Sequence, residues 1–207
     1  MIQFGDGMYR GNSSRIFPII LVLIIAAIAI AALVSVGRVI FGGNQGDQSQ
    51  VDTSRQTLLN TTVGHSVRMT VRGPIVADEN FHSYRITVDN STRTLVTYSS
   101  YLEQVVDTRQ LGNNVKSYEE FVYALDKANM AQGTPLTGDK DDTRGICASG
   151  KVYEFEIVSS DSVVKRLWTS TCRGSQGSLK ASITQLQGLF LNQIPDNGPL
   201  LRKINLQ

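Results

Sequence analysis

The sequence predicts an α+β protein: an N-terminal transmembrane helix, then a small antiparallel-sheet domain of order β-β-β-α-β-β-α with its helices packed on one face. Three observations predict it. Residues 16–37 hold no charged side chain. Short runs between residues 66 and 102, and again between 151 and 172, alternate apolar and polar residues with the period of a half-buried strand. Two further segments repeat their apolar residues with a helical period.

Residues 1–15 read as a short cytoplasmic segment carrying Arg10 and Arg15. Residues 16–41 follow as a signal anchor. At about 1.5 Å per residue, the uncharged positions reach roughly 33 Å, enough to cross a hydrocarbon core of about 30 Å. The run is longer than the apolar region of a cleaved signal peptide. Arg10 and Arg15 lie before it, while Arg38 and then Asp47 and Asp52 come after. That bias favours a single-pass protein of the cell membrane with its N-terminus cytoplasmic and its C-terminal domain outside. The bilayer is thus the first expected partner, through residues 16–41.

Residues 42–62 begin "GGNQGDQSQVDTSRQ", with almost nothing to bury. They read as a flexible polar linker with an r.m.s. reach of about 20 Å. "TLLNTT" inside it has the look of a short helical or irregular lead-in.

The exported α+β domain is expected over 63–207. In "SVRMTVRG", Val67, Met69 and Val71 alternate with Arg68, Thr70 and Arg72. In "SYRITVD", Tyr84, Ile86 and Val88 alternate with Ser83, Arg85 and Thr87. "RTLVTYSSYL" is a third strand, and Asp89-Asn90-Ser91 supplies the turn before it. "SYEEFVYALDKANMAQG" predicts a helix, with Ser117 and Glu120 as a capping box and Gly133 as the stop.

"TPLTGDKDDTRG" (134–145) reads as a polar loop. Its Asp139, Asp141 and Asp142 resemble only the opening of a calcium loop, with no closing Glu. "KVYEFEIVSSDSVVKRLWTSTC" predicts a hairpin turning at Ser160-Asp161, with partners whose numbers total 321. Tyr153 would then face Trp168, and Ile157 would face Val164. "SLKASITQLQGLFLNQIPD" is an amphipathic helix capped by Ser178, with Leu179, Ile183, Leu186, Phe190 and Ile194 as its stripe.

The chain has two cysteines, Cys147 and Cys172, both on the expected outer side. Their register lies one two-residue step from the hairpin pairing, so a disulfide closing the hairpin base is expected, as an oxidising compartment permits. Arg68, Arg72 and Arg85 fall on one face if the first two strands pair. They form a candidate anion-binding face, since guanidinium forks suit carboxylate and phosphate groups. A protein or anionic envelope component is the expected partner. A net charge of +2 gives no footprint for nucleic acid. Neither His65 nor His82 has a second ligand at metal spacing. No metal, no cofactor and no catalytic residue is expected.

One enzymatic alternative remains. "TSTC" (169–172) at a strand end resembles the sortases, in which a strand-end Cys attacks a peptide carbonyl with help from a His and an Arg. The resemblance implies Cys172 as nucleophile, Thr171 before it, and His65 following Gly64. The chain departs from the family at Trp168-Thr169, where sortases carry Thr-Leu. A helix also follows where the family has a strand bearing the Arg, and Cys147 competes for the thiol. Pilins offer a structural comparison, but their Gly before the apolar run and Glu at its fifth position are both absent. The expectation is therefore a membrane-anchored, disulfide-bonded binding or envelope-interaction module.

Overall fold

A computed structural model describes residues 53–175, 177–204 and 206. The segments 1–15 and 16–41, and the front of the linker to residue 52, lie outside the described residues. Among the described residues, no helix is long and apolar enough to cross a membrane.

The elements are α1 (Thr53–Leu58), β1 (His65–Arg72), β2 (His82–Asp89), β3 (Thr92–Ser99), β4 (Gln104–Gly112), α2 (Val115–Lys127), β5 (Val152–Ser159), β6 (Ser162–Ser170), α3 (Ile183–Leu191) and α4 (Gly198–Ile204). The six strands form one sheet in the order β4-β3-β2-β1-β5-β6. Every neighbouring pair is antiparallel. The α+β class is as expected, with more elements than the sequence pattern reveals.

Strand alternation sorts the two faces of the sheet. Leu95, Ile86, Met69, Phe155 and Leu167 are successive cross-strand partners, one row across β3, β2, β1, β5 and β6. All five are buried. Helices cover this inner face: Phe190 of α3 lies 6.0 Å from Phe155 and meets Phe121 of α2 edge-on at 5.3 Å between ring centroids. Such edge-to-face pairing suits the aromatic quadrupoles.

Several expectations need correction. The linker expected over 42–62 ends earlier. Thr53–Leu58 is helical, Leu58 is fully buried in the main core, and Arg55 makes two 2.7 Å bonds to Asp126 of α2. The fold therefore starts before residue 63. β4 was missing from the expected order. None of its residues is fully buried, and its two valines stand next to each other, so no apolar alternation marks it. Backbone pairing to β3 holds it instead.

Helix ends also shift. Asn114, not Ser117, caps α2; its side chain accepts from the Ser117 amide at 2.9 Å. The helix stops at Lys127, where Asn129 adopts a left-handed φ of 61°. Gly133 lies beyond, bridged to Leu179, where a Cβ would collide with the Ser178 carbonyl. Ser182 caps α3, while the Ser178 hydroxyl accepts from the Trp168 amide at 3.0 Å. α4 was not expected; it buries Ile204.

The β5–β6 turn is at Ser160-Asp161 as expected, both residues having positive φ. The register totals 321 only beside the turn, at Ser159–Ser162 and Val158–Val163. A bulge then shifts it by one, so Tyr153 faces Thr169 and Ile157 faces Lys165. Trp168 instead faces Glu154, on the side of the sheet away from Phe155.

Candidate functional site

Cys147 and Cys172 are bonded, with an S–S distance of 2.06 Å and Cα atoms 5.4 Å apart. Among the described residues there is no free cysteine. The bond joins the loop before β5 to the loop after β6, as the hairpin pairing implied. Other bonds reinforce the junction. Ser175 Oγ donates to the Ile146 carbonyl at 2.7 Å, and the Thr171 amide donates to the Lys151 carbonyl at 3.0 Å. Gly150 is required beneath it, because a Cβ there would collide with Thr171 Oγ1 and Cys147 Sγ.

This removes the thiol that the sortase resemblance needs. The histidine is also misplaced. His65 pairs with Ser159 at one end of the sheet, whereas Cys172 follows β6 at the end where Arg72 pairs with Val152. Seven strand positions separate the two ends, about 23 Å. His65 contacts Thr62 Oγ1 and Ser159 Oγ, and His82 contacts the Asn80 carbonyl.

Arg68, Arg72 and Arg85 do share one face: Arg68 opposes Thr87, Thr70 opposes Arg85, and Arg72 opposes Ser83. Their environments differ. β5 lies on the far side of β1 and sets Glu156 against Arg68, which it meets at 2.9 Å. Arg85 reaches Glu103 at 3.5 Å and Thr70 Oγ1 at 3.1 Å, and lies over the Tyr98 ring. Two of the three charges are thus already answered by carboxylates. Arg72 forms no ion pair among the described residues. Its Nη1 donates to Thr143 Oγ1 at 3.3 Å, and its guanidinium lies 5.8 Å from the centre of the Phe81 ring.

Arg72 opens into a cleft of about 400 Å³. Ile75, Phe81, Tyr101, Val152 and the Cys147 side line it, with Thr143 and Arg144 at the polar edge. Three loops make the walls and are tied to one another. Phe81 and Tyr101 stack at 4.0 Å. Tyr101 Oη donates to the Val76 carbonyl at 2.9 Å and accepts from its amide at 3.1 Å. The Tyr101 amide donates to Asp78 at 2.8 Å, and the Ile75 amide to the Ala148 carbonyl at 2.9 Å. The disulfide anchors the last of these loops. At the rim Arg144 pairs with Asp142, and that guanidinium holds the Asp142 carboxyl down at about 2.

No protein-family model matches the chain, and no curated protein matches it in sequence.

Two carboxylates of the acidic loop are already engaged. Asp141 takes Arg166 at 2.8 Å and Trp168 Nε1 at 3.2 Å, and Asp142 takes Arg144. Among the described residues, no group of three or more His, Cys, Asp or Glu side chains is placed to hold a metal ion. A second cavity of about 340 Å³ lies where Arg55 and Asp126 already satisfy each other. A third, of about 380 Å³, lies beside Tyr84, whose hydroxyl accepts from Gln187 and is pushed by burial to about 12.

Sequence reasoning named Arg72 but missed its companions. Phe81 stands outside the alternating run, and Tyr101 falls at the tail of the third apolar run. The turn signal "YSSYL", a tyrosine after two serines, was the available clue.

Proposed function

We propose that this chain is a single-pass membrane-anchored protein, held through residues 16–41, whose folded domain works on the outer side as a non-enzymatic binding module. Its recognition site in this reading is the Arg72 cleft, and its partner carries an anionic group. One observation carries the reading: Arg72 is a guanidinium with no carboxylate partner among the described residues, set in an apolar cleft whose wall is fastened by Cys147–Cys172. A concave apolar site with few polar groups is where a ligand gains most from desolvation. The disulfide supports an oxidising compartment.

The test has two arms in intact cells. Added protease should digest the domain without lysis, and a thiol reagent should label it only after reduction. Digestion only after lysis, or labelling without reductant, would overturn the location. A photo-crosslinking residue at Ile75, on the cleft rim, should give adducts that disappear in the Arg72→Gln background. The same probe at Tyr123, exposed on α2, should not give those adducts. Equal adducts from both positions would rule the cleft out as the recognition site.

A further inference from the structure

The geometry points to a more specific ligand for this cleft: a single carboxylate carried on an aromatic or branched apolar group, as at the C-terminal residue of a polypeptide. The inference rests on the binding-module reading and narrows it.

Charge decides first. Arg144 is engaged by Asp142, so among the described residues the cleft presents one uncompensated positive charge, that of Arg72. Asp78 also stands beside the cleft, bonded to the Tyr101 amide. A phosphate group brings a charge of about −1.5 to −2, more than one guanidinium answers. A carboxylate brings one, and its two oxygens match the parallel N–H groups of a guanidinium fork. Only one Arg72 nitrogen has a partner among the described residues, so a fork remains to be filled.

Size and surface decide the rest. The cleft, about 400 Å³, falls in the range that holds a small apolar group with one polar handle. Ile75 is 48% exposed and Tyr101 41% exposed, although both belong to loops pinned by hydrogen bonds. An apolar group next to the carboxylate would cover them, with little ordering cost in walls that are already fixed.

Full-length protein purified in detergent is titrated calorimetrically with N-acetylphenylalanine, its amide, phenyl phosphate, and a hexapeptide ending in Phe with a free or an amidated C-terminus. The free acids should bind, and each amide should bind at least about tenfold more weakly, the loss of one charge-assisted hydrogen bond. Tighter binding of the free-acid hexapeptide than of N-acetylphenylalanine identifies a polypeptide end as the source; equal binding identifies a small free acid. Both results support the carboxylate chemistry. Arg72→Gln should abolish the preference for acid over amide, and Arg72→Lys should keep part of it. Ile75→Asp alters only an exposed side chain and should also abolish acid binding, which keeps the test open if Arg72→Gln fails to fold. Amides binding as well as acids, tighter binding of phenyl phosphate, or unchanged acid affinity in both Arg72→Gln and Ile75→Asp would overturn the inference. If that happens while the Ile75 photo-adducts in cells still depend on Arg72, only the ligand class falls. If the adducts fail too, the binding-module reading falls with it.

Discussion

Removing the Cys147–Cys172 bond should lower stability substantially without unfolding the domain at room temperature. The bond closes a loop over a sequence separation of 25 residues. In the chain-entropy treatment, that link restricts the unfolded chain by about 11.7 cal/mol/K, or about 3.5 kcal/mol at 25 °C. For a chain of this size, 1 kcal/mol moves the melting midpoint by about 2–4 °C, so the expected fall is about 7–14 °C. Alanine at both positions is the right perturbation, because Cys147 is buried and a serine there would add an unpaired hydroxyl. The core row from Leu95 to Leu167 lies away from the disulfide, so the double variant should keep its native circular dichroism at 20 °C. The assay is thermal unfolding of oxidised wild type, reduced wild type and the Cys147→Ala/Cys172→Ala variant. Reduced wild type and the double variant should melt close together. A fall of less than about 3 °C in both would refute the loop-entropy reasoning, since the loop would then be constrained by its other contacts alone.

Leu58→Ala should cost about 2–5 kcal/mol in denaturant unfolding, because Leu58 is fully buried in the main core. A wild-type midpoint would return residues 53–62 to the status of a tether. Asp89 accepts from the amides and hydroxyls of Ser91 and Thr92 at 2.6–2.7 Å. Burial pushes its carboxyl up, but those hydrogen bonds outweigh it and leave it below the ordinary carboxylate value. A group depressed in the folded state contributes its full stability above the unfolded value and loses it as pH falls through the folded one. The stability gap between wild type and Asp89→Asn should therefore be widest above about pH 5 and narrow below about pH 4; a gap independent of pH refutes this. Gly177→Ala should destabilise by about 1–3 kcal/mol, because its Cβ would collide with the Trp168 carbonyl; an unchanged melting midpoint would show that the backbone there yields freely.

The face of the sheet opposite the helices is more a charge mosaic than an anion trap. Arg166 bridges Glu154 and Asp141, and Thr143 donates to Glu154 while accepting from Arg72. Half-buried pairs of this kind fix the loop carrying Asp141 and Thr143 against β5 and β6. They add little net stability, since desolvation offsets much of the attraction. Their consequence for the site is positional: they hold Thr143 beside Arg72 and set the polar edge of the cleft.

The strands whose side chains alternate between core and surface are legible in the order of residues alone. Val67-Met69-Val71, Tyr84-Ile86-Val88 and Tyr153-Phe155-Ile157 could be assigned to one face because burial imposes a period of two. Cys147 and Cys172 meet because the hairpin brings its two ends together, whatever the register, while the same parity placed Arg68, Arg72 and Arg85 on one side. It failed where local pattern and burial part company. β4 is an edge strand with no buried side chain, and the bulge beyond Val158 breaks the hairpin register. Caps fell on Asn114 and Ser182 because neighbouring polar residues compete for the same amides, and backbone geometry selects among them. The pairing of charges on the arginine face follows from contacts between distant strands, which no local pattern records. β1 pairs with β5 across most of the domain's length, which sets Glu156 on Arg68, while the turn after β3 supplies Glu103 to Arg85. Arg72, at the end of its strand, passes beyond both and meets Phe81 and the disulfide-bound loop instead. Periodicity assigns a side chain to a face; only the long-range pairing of strands determines which charges that face already holds.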